Sequence, residues 1–109
     1  MKKFMFAAVL LAASVASANF CAQYQTKERY NKAINTLAAH RHEGVAQLCD
    51  HAGLLGVYVA PTHYVKNVGE DAIVVPLTRV ELIYSEWICQ YFVQDDNQSM
   101  YKSNCYSTF

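Results

Sequence analysis

The chain has 109 residues, 53 % of them hydrophobic, with nine basic and nine acidic side chains. The charges are dispersed, with no run of five or more of one sign. This excludes the clustered basic face of a nucleic-acid binder and a polybasic membrane anchor, and the length allows one small domain.

Residues 1–18 read as a secretory signal peptide. Lys2 and Lys3 form the positive start, an apolar run extends from Phe4 to Ala16, and Ala16-Ser17-Ala18 is a cleavage site of the A-x-A kind. The run is shorter than the roughly 20 apolar residues of a comfortable membrane span. Phe20, directly before Cys21, is too bulky for a lipidation site. Cleavage after Ala18 would leave a single domain of residues 19–109 in the periplasm, or secreted. Without Lys2 and Lys3, seven basic residues face nine acidic ones, a formal charge of −2. No later segment is apolar enough for membrane insertion after cleavage.

Residues 27–52 predict a helix, with Thr26 as N-cap and Tyr30, Ala33, Ile34, Leu37 and Ala38 as its apolar stripe. Val45, Leu48, Cys49 and Ala52 continue the pattern. Between them, His40-Arg41-His42-Glu43-Gly44 is polar and holds a glycine, so the stretch is expected to be two helices, or one helix kinked near Gly44. Residues 55–60 and 72–76 are short valine-rich runs that predict a β-hairpin. The segment 61–71, holding Pro61, Asn67 and Gly69, reads as its long loop.

Residues 78–92, TRVELIYSEWICQYF, read best as a helix over 79–93. Val80, Ile83, Tyr84, Trp87, Ile88 and Tyr91 fall on one helical face. Thr78 and Glu81 have the spacing of a capping box. As one continuous strand the stretch gives two mixed faces. On the helix reading, Trp87 is a core residue. On the strand reading, residues 87–94 and 100–107 pair as a hairpin with Cys89 opposite Cys105. The fold class expected is therefore α+β: two principal helices and a short hairpin, stabilised by disulfides, the alternative being mostly α. A terminal Phe109 also occurs in outer-membrane barrels, but Ser103, Cys105 and Ser107 before it make no lipid-facing row, and 91 residues are few for eight spanning strands.

Cys21, Cys49, Cys89 and Cys105 all lie in the mature part. An even count in a small exported chain reads as two disulfides, and no close cysteine pair suggests a zinc site. Cys49–Cys89 with Cys21–Cys105 is the favoured pairing, since it closes the longest loops. Cys21–Cys49 with Cys89–Cys105 requires a sharp break near Gly44, because an unbroken helix would hold Cys21 and Cys49 about 42 Å apart.

Catalytic motifs are missing: no nucleophile elbow, phosphate loop, dinucleotide fingerprint or C-x-x-C pair occurs. No enzyme activity and no cofactor are expected. His40, His42 and His51 could serve a metal-binding role, but their spacing is poor for one helical face, and a solvated helix break explains them better. Eight tyrosines are the remaining signal. Tyr30, Tyr84 and Tyr91 are expected in the core, whereas Tyr64, Tyr101 and Tyr106 are interface candidates, because tyrosine joins apolar area to a polar tip. The function expected is binding of a protein partner without catalysis, as an inhibitor, immunity or exclusion protein of the periplasm.

Overall fold

The structure, a computed structural model, describes residues 19–109; the expected signal peptide lies outside the described residues. Among the described residues three short helices precede the sheet: α1 (Ala22–Gln25), α2 (Glu28–His40) and α3 (Val45–Cys49). Four strands follow: β1 (Leu54–Val68), β2 (Asp71–Tyr84), β3 (Trp87–Gln94) and β4 (Met100–Ser107). They form one antiparallel sheet in the order β1-β2-β3-β4. Strands make up 49 % of the fold, so the expectation of two principal helices, and its mostly-α alternative, are both wrong.

The expected helix over 79–93 is the end of β2, a tight turn at Ser85 and Glu86, and most of β3. The turn explains why the strand test failed. Leu82 pairs with Cys89 and Val80 with Tyr91, so a two-residue loop moves the buried face from even to odd positions. Read that way, Val80, Leu82, Cys89, Tyr91 and Val93 form one clean apolar face, all of them buried. The T-x-x-E pattern is no capping box. Thr78 is fully buried in β2, and Glu81 accepts a hydrogen bond from Gln90 at 2.6 Å across the hairpin.

The first hairpin is also longer than expected. The segment read as a loop is strand apart from Gly69 and Glu70. Gly69 has φ of +63°, as the first central position of a type II′ turn requires. Pro61, expected in that loop, lies within β1. The Asp95 N–H donates to the Pro76 carbonyl at 3.2 Å, so Pro76 turns its backbone towards β3. His63–Pro76 is then a non-hydrogen-bonded pair of the β1–β2 ladder, and so is Pro61–Thr78 two residues on. Pro61 thus directs its missing N–H to the free edge, where no donor is needed.

The break near Gly44 occurs as expected, and residues 27–52 hold two helices rather than one kinked helix. His42, at φ of +57°, takes the left-handed position after α2. The N–H of His42 donates to Ala39 and that of Glu43 to Ala38, which makes a Schellman stop. Gly44 then caps α3, its N–H donating to the Gln47 side chain at 2.9 Å. Ala33, Ile34, Leu37 and Ala38 of α2 pack on Val57, Val59, Val80, Leu82, Tyr91 and Val93 in one core. Tyr91 is buried, and Tyr30 and Tyr84 pack partly buried against the same core.

Two arginines tie helix to sheet. Arg29 pairs with Asp95 at 2.7 Å and donates to the Leu77 carbonyl at 2.9 Å. Thr78 accepts from Arg29 and donates to Asp95, which satisfies this buried hydroxyl. Arg41 pairs with Glu43 at 2.8 Å and donates to the Tyr91 hydroxyl at 2.8 Å.

The disulfides are Cys21–Cys49 and Cys89–Cys105. The favoured pairing is overturned. The reversal after α2 brings Cys49 back to Cys21, with Cα atoms 5.5 Å apart. Cys89 and Cys105 face each other directly across β3 and β4. No helix of the described residues is long and apolar enough to cross a membrane.

Candidate binding surface

The helices cover only the middle of their sheet face. At one end of that face, the side chains beyond α3 are left open. Trp87 is the first residue of β3 and shares the face of Cys89 and Tyr91, but it is 54 % exposed. The expectation of a core tryptophan is therefore wrong. Its position after the Ser85–Glu86 turn places it past the helical cover.

Trp87, Tyr84, Ala52, His51 and the Cys89–Cys105 bridge line an open cleft of about 570 Å³. No carboxylate, lysine or arginine contributes to this lining. His51 meets the edge of the Tyr84 ring, with centroids 6.3 Å apart. Burial pushes the Tyr84 phenol above its ordinary pKa, outweighing the opposing pull of Arg41, so the hydroxyl stays neutral. Both cysteines are oxidised, and neither offers a thiolate. The cleft is thus apolar, floored by a cross-linked strand pair and flanked by two aromatic rings. Such a surface is suited to apolar groups, and its lining holds no carboxylate to pair with His51. A second groove of about 240 Å³ lies between α2 and the β3–β4 turn, but its charges are mutually paired, Arg29 with Asp95 and Lys32 with Glu28.

The other end of the sheet carries an arm. β3 pairs with β2 only as far as Leu77, so in the ladder residues 63–68 and 71–76 pair with each other alone. At about 3.3 Å per residue, the arm projects roughly 20–25 Å. Val65, Val68, Ile73 and Val74 on it are all about half exposed.

The three tyrosines expected at an interface all lie on the sheet face away from the helices. Tyr64 and Tyr101 stack on each other, with centroids 4.3 Å apart and planes 10° from parallel. This joins the root of the arm to β4 across the width of the sheet. Tyr106, opposite Ile88, is exposed. None of the three reaches the Trp87 cleft, which sequence reasoning missed. The signal for it was available in the hairpin alternative, which places Trp87 beside Cys89 at the very start of a strand.

The histidines are dispersed. His40 ends α2, His42 forms its left-handed stop, His51 edges the cleft and His63 lies on the arm. Among the described residues, no three histidine, cysteine, aspartate or glutamate side chains gather in a position to hold a metal ion. Comparison of the chain with protein-family models, with curated proteins and with solved structures finds no match in any of the three.

Proposed function

We propose that the chain is exported to the periplasm and there binds another protein without catalysis, as an inhibitor or immunity protein does. The observation that carries this reading is the half-exposed Trp87 in an apolar cleft. Tryptophan is the residue most enriched at the energetic centres of interfaces, and it contributes most when a partner completes its desolvation. The bridge beneath it pre-organises the surface, which lowers the entropy lost on binding. Two disulfides agree with an oxidising compartment, and the A-S-A site agrees with export. The uncharged lining favours a partner that inserts an apolar side chain.

The test is capture from periplasmic extract with the mature oxidised domain, beside a Trp87→Ala variant and a photo-crosslinking residue at position 87. A partner bound in one-to-one ratio, crosslinked from position 87 and lost with Trp87→Ala, is the expected result. A partner retained equally by both proteins would remove the cleft from the interface.

A further inference from the structure

We infer that the arm pairs with the arm of a second copy of this chain, edge to edge along β1, about a two-fold axis at Val65. The inference stands apart from the Trp87 cleft, which lies at the opposite end of the sheet.

The starting point is an unpaired edge. β1 is hydrogen-bonded only to β2, so its other side is free among the described residues. The ladder parity fixed by Pro76 shows which groups face outward: the N–H and C=O of His63, Val65 and Asn67, and the carbonyl of Pro61. An open edge of this kind is a template for another strand, and proteins usually blunt it with charge, a bulge or a short strand. β1 carries a proline and a lysine, but Pro61 lies at the root of the arm and the backbone of Lys66 faces β2; none of the outward-facing positions from His63 to Asn67 is charged, and the irregularity in β1 pairing lies far away at Leu54 and Gly56.

The sequence of this edge is complementary to itself. With the axis at Val65, the two Val65 residues exchange two backbone bonds. Each His63 exchanges two with Asn67 of the second copy. Every outward donor and acceptor from His63 to Asn67 is then satisfied. The ladder stops where Pro61, which has no N–H, meets the turn residue Gly69 of the second copy. A slip of the axis to Tyr64 would set Pro61 against Asn67 and leave a carbonyl of Asn67 without a donor. The opposite edge of the arm is poorer, since Pro76 would have to face Ala72 and again supplies no N–H.

The side chains agree with this register. On the helix-side face, Val74 and Val65 are cross-strand neighbours, and both are at least half exposed. Pairing lines up Val74, Val65, Val65 and Val74 in one row across four strands. The polar His63 and Asn67 flank the row as two cross-strand pairs. On the other face, Tyr64 lies beside Lys66 of the second copy, a cation next to an aromatic ring. The two bodies point away from each other, because α2 reaches no further along the sheet than Arg29 at Leu77 and Thr78. Two strands in contact bury less than the roughly 1,200 Å² of a stable interface. The dimer is therefore a weak, concentration-dependent species.

The test uses the mature oxidised domain in sedimentation equilibrium and amide hydrogen exchange over a concentration series. A monomer–dimer equilibrium is expected. The amides of His63, Val65 and Asn67 should slow by about tenfold between roughly 10 µM and 1 mM, by mass action, while that of Val74 does not change. Val65→Pro removes the central donor without touching the β1–β2 ladder, because that N–H points outward; it should leave a folded monomer. Val74→Pro, on the other edge, should still dimerise. A chain monomeric up to millimolar concentration, with constant exchange at His63, Val65 and Asn67, would overturn the inference. So would protection at Ala72 and Val74 in their place, or a dimer that survives Val65→Pro. Should Val65→Pro fail to fold, the exchange pattern of the unaltered chain decides alone.

Discussion

Trp87 and Leu37 show what position does to an apolar side chain. Leu37 lies on the inner face of α2 and is fully buried. Trp87 has the larger side chain but keeps half its surface in water. Truncating Leu37 removes packed atoms and leaves a cavity, so Leu37→Ala should cost about 2–5 kcal/mol. Truncating Trp87 opens no enclosed cavity, and Trp87→Ala should cost under about 1 kcal/mol. Urea unfolding of both variants, followed by far-UV circular dichroism, checks the pair. A loss at Trp87 as large as that at Leu37 would show the tryptophan to be structural and would remove the reason for reading it as a contact residue. Sequence alone could not separate the two, because both sit in apolar stripes. What distinguishes them is where the helical cover ends, and that depends on the left-handed stop at His42, a position glycine usually fills.

At the scale of elements, the misread segment was 79–93. Its helical periodicity arises from a hairpin whose two strands contribute alternate residues with a parity change at Ser85 and Glu86. Ser85 is a turn former, but the pair lacks the glycine or asparagine that marks a two-residue hairpin, so the turn signal is weak. Where such a signal existed the reading did better. Gly44 marked the break between α2 and α3, and 95–99 marked the β3–β4 connection in the hairpin alternative. Of the residues that line the candidate cleft, Cys89 and Cys105 were legible from the sequence as members of a disulfide-bonded set, but the cleft itself, with Trp87 at its edge, was not. Disulfide pairing followed the fold: once 79–93 is a hairpin, Cys89 and Cys105 are cross-strand partners. β4 depends on that bridge more than any other strand. It is an edge strand with no buried side chain, and only Met100 packs partly against the core. Replacing Cys89 and Cys105 together by serine should therefore release β4 first. Amides of residues 101–107 should lose most of their exchange protection, whereas those of residues 79–83 in β2 keep theirs. Equal loss in both strands would mean that β4 and β2 open as one unit.

For the molecule as a whole, the sheet divides the labour along its length. Its middle is packed under α2 and carries the core. One end presents the Trp87 cleft, and the other projects the arm. Neither disulfide joins helices to sheet, since Cys21–Cys49 closes the helical segment and Cys89–Cys105 closes β3 on β4. The two layers are held by apolar packing and by Arg29 and Arg41. The arm lies outside all of these contacts except for the Tyr64–Tyr101 stack, an interaction of about 0.5–1.5 kcal/mol. The arm should thus be removable. Deleting residues 64–67 and 72–75, so that His63 joins Val68 and Asp71 joins Pro76, takes an even number from each strand and keeps both faces in register. The Gly69–Glu70 turn stays intact. The shortened domain should unfold cooperatively, with Tm lower by about 2–12 °C, the loss expected from one aromatic stack in a domain of this size. It should also be monomeric while still capturing its partner through Trp87. A shortened chain that fails to fold would place the arm within the cooperative unit. One that folds but no longer binds would place the arm, rather than the cleft, at the partner interface.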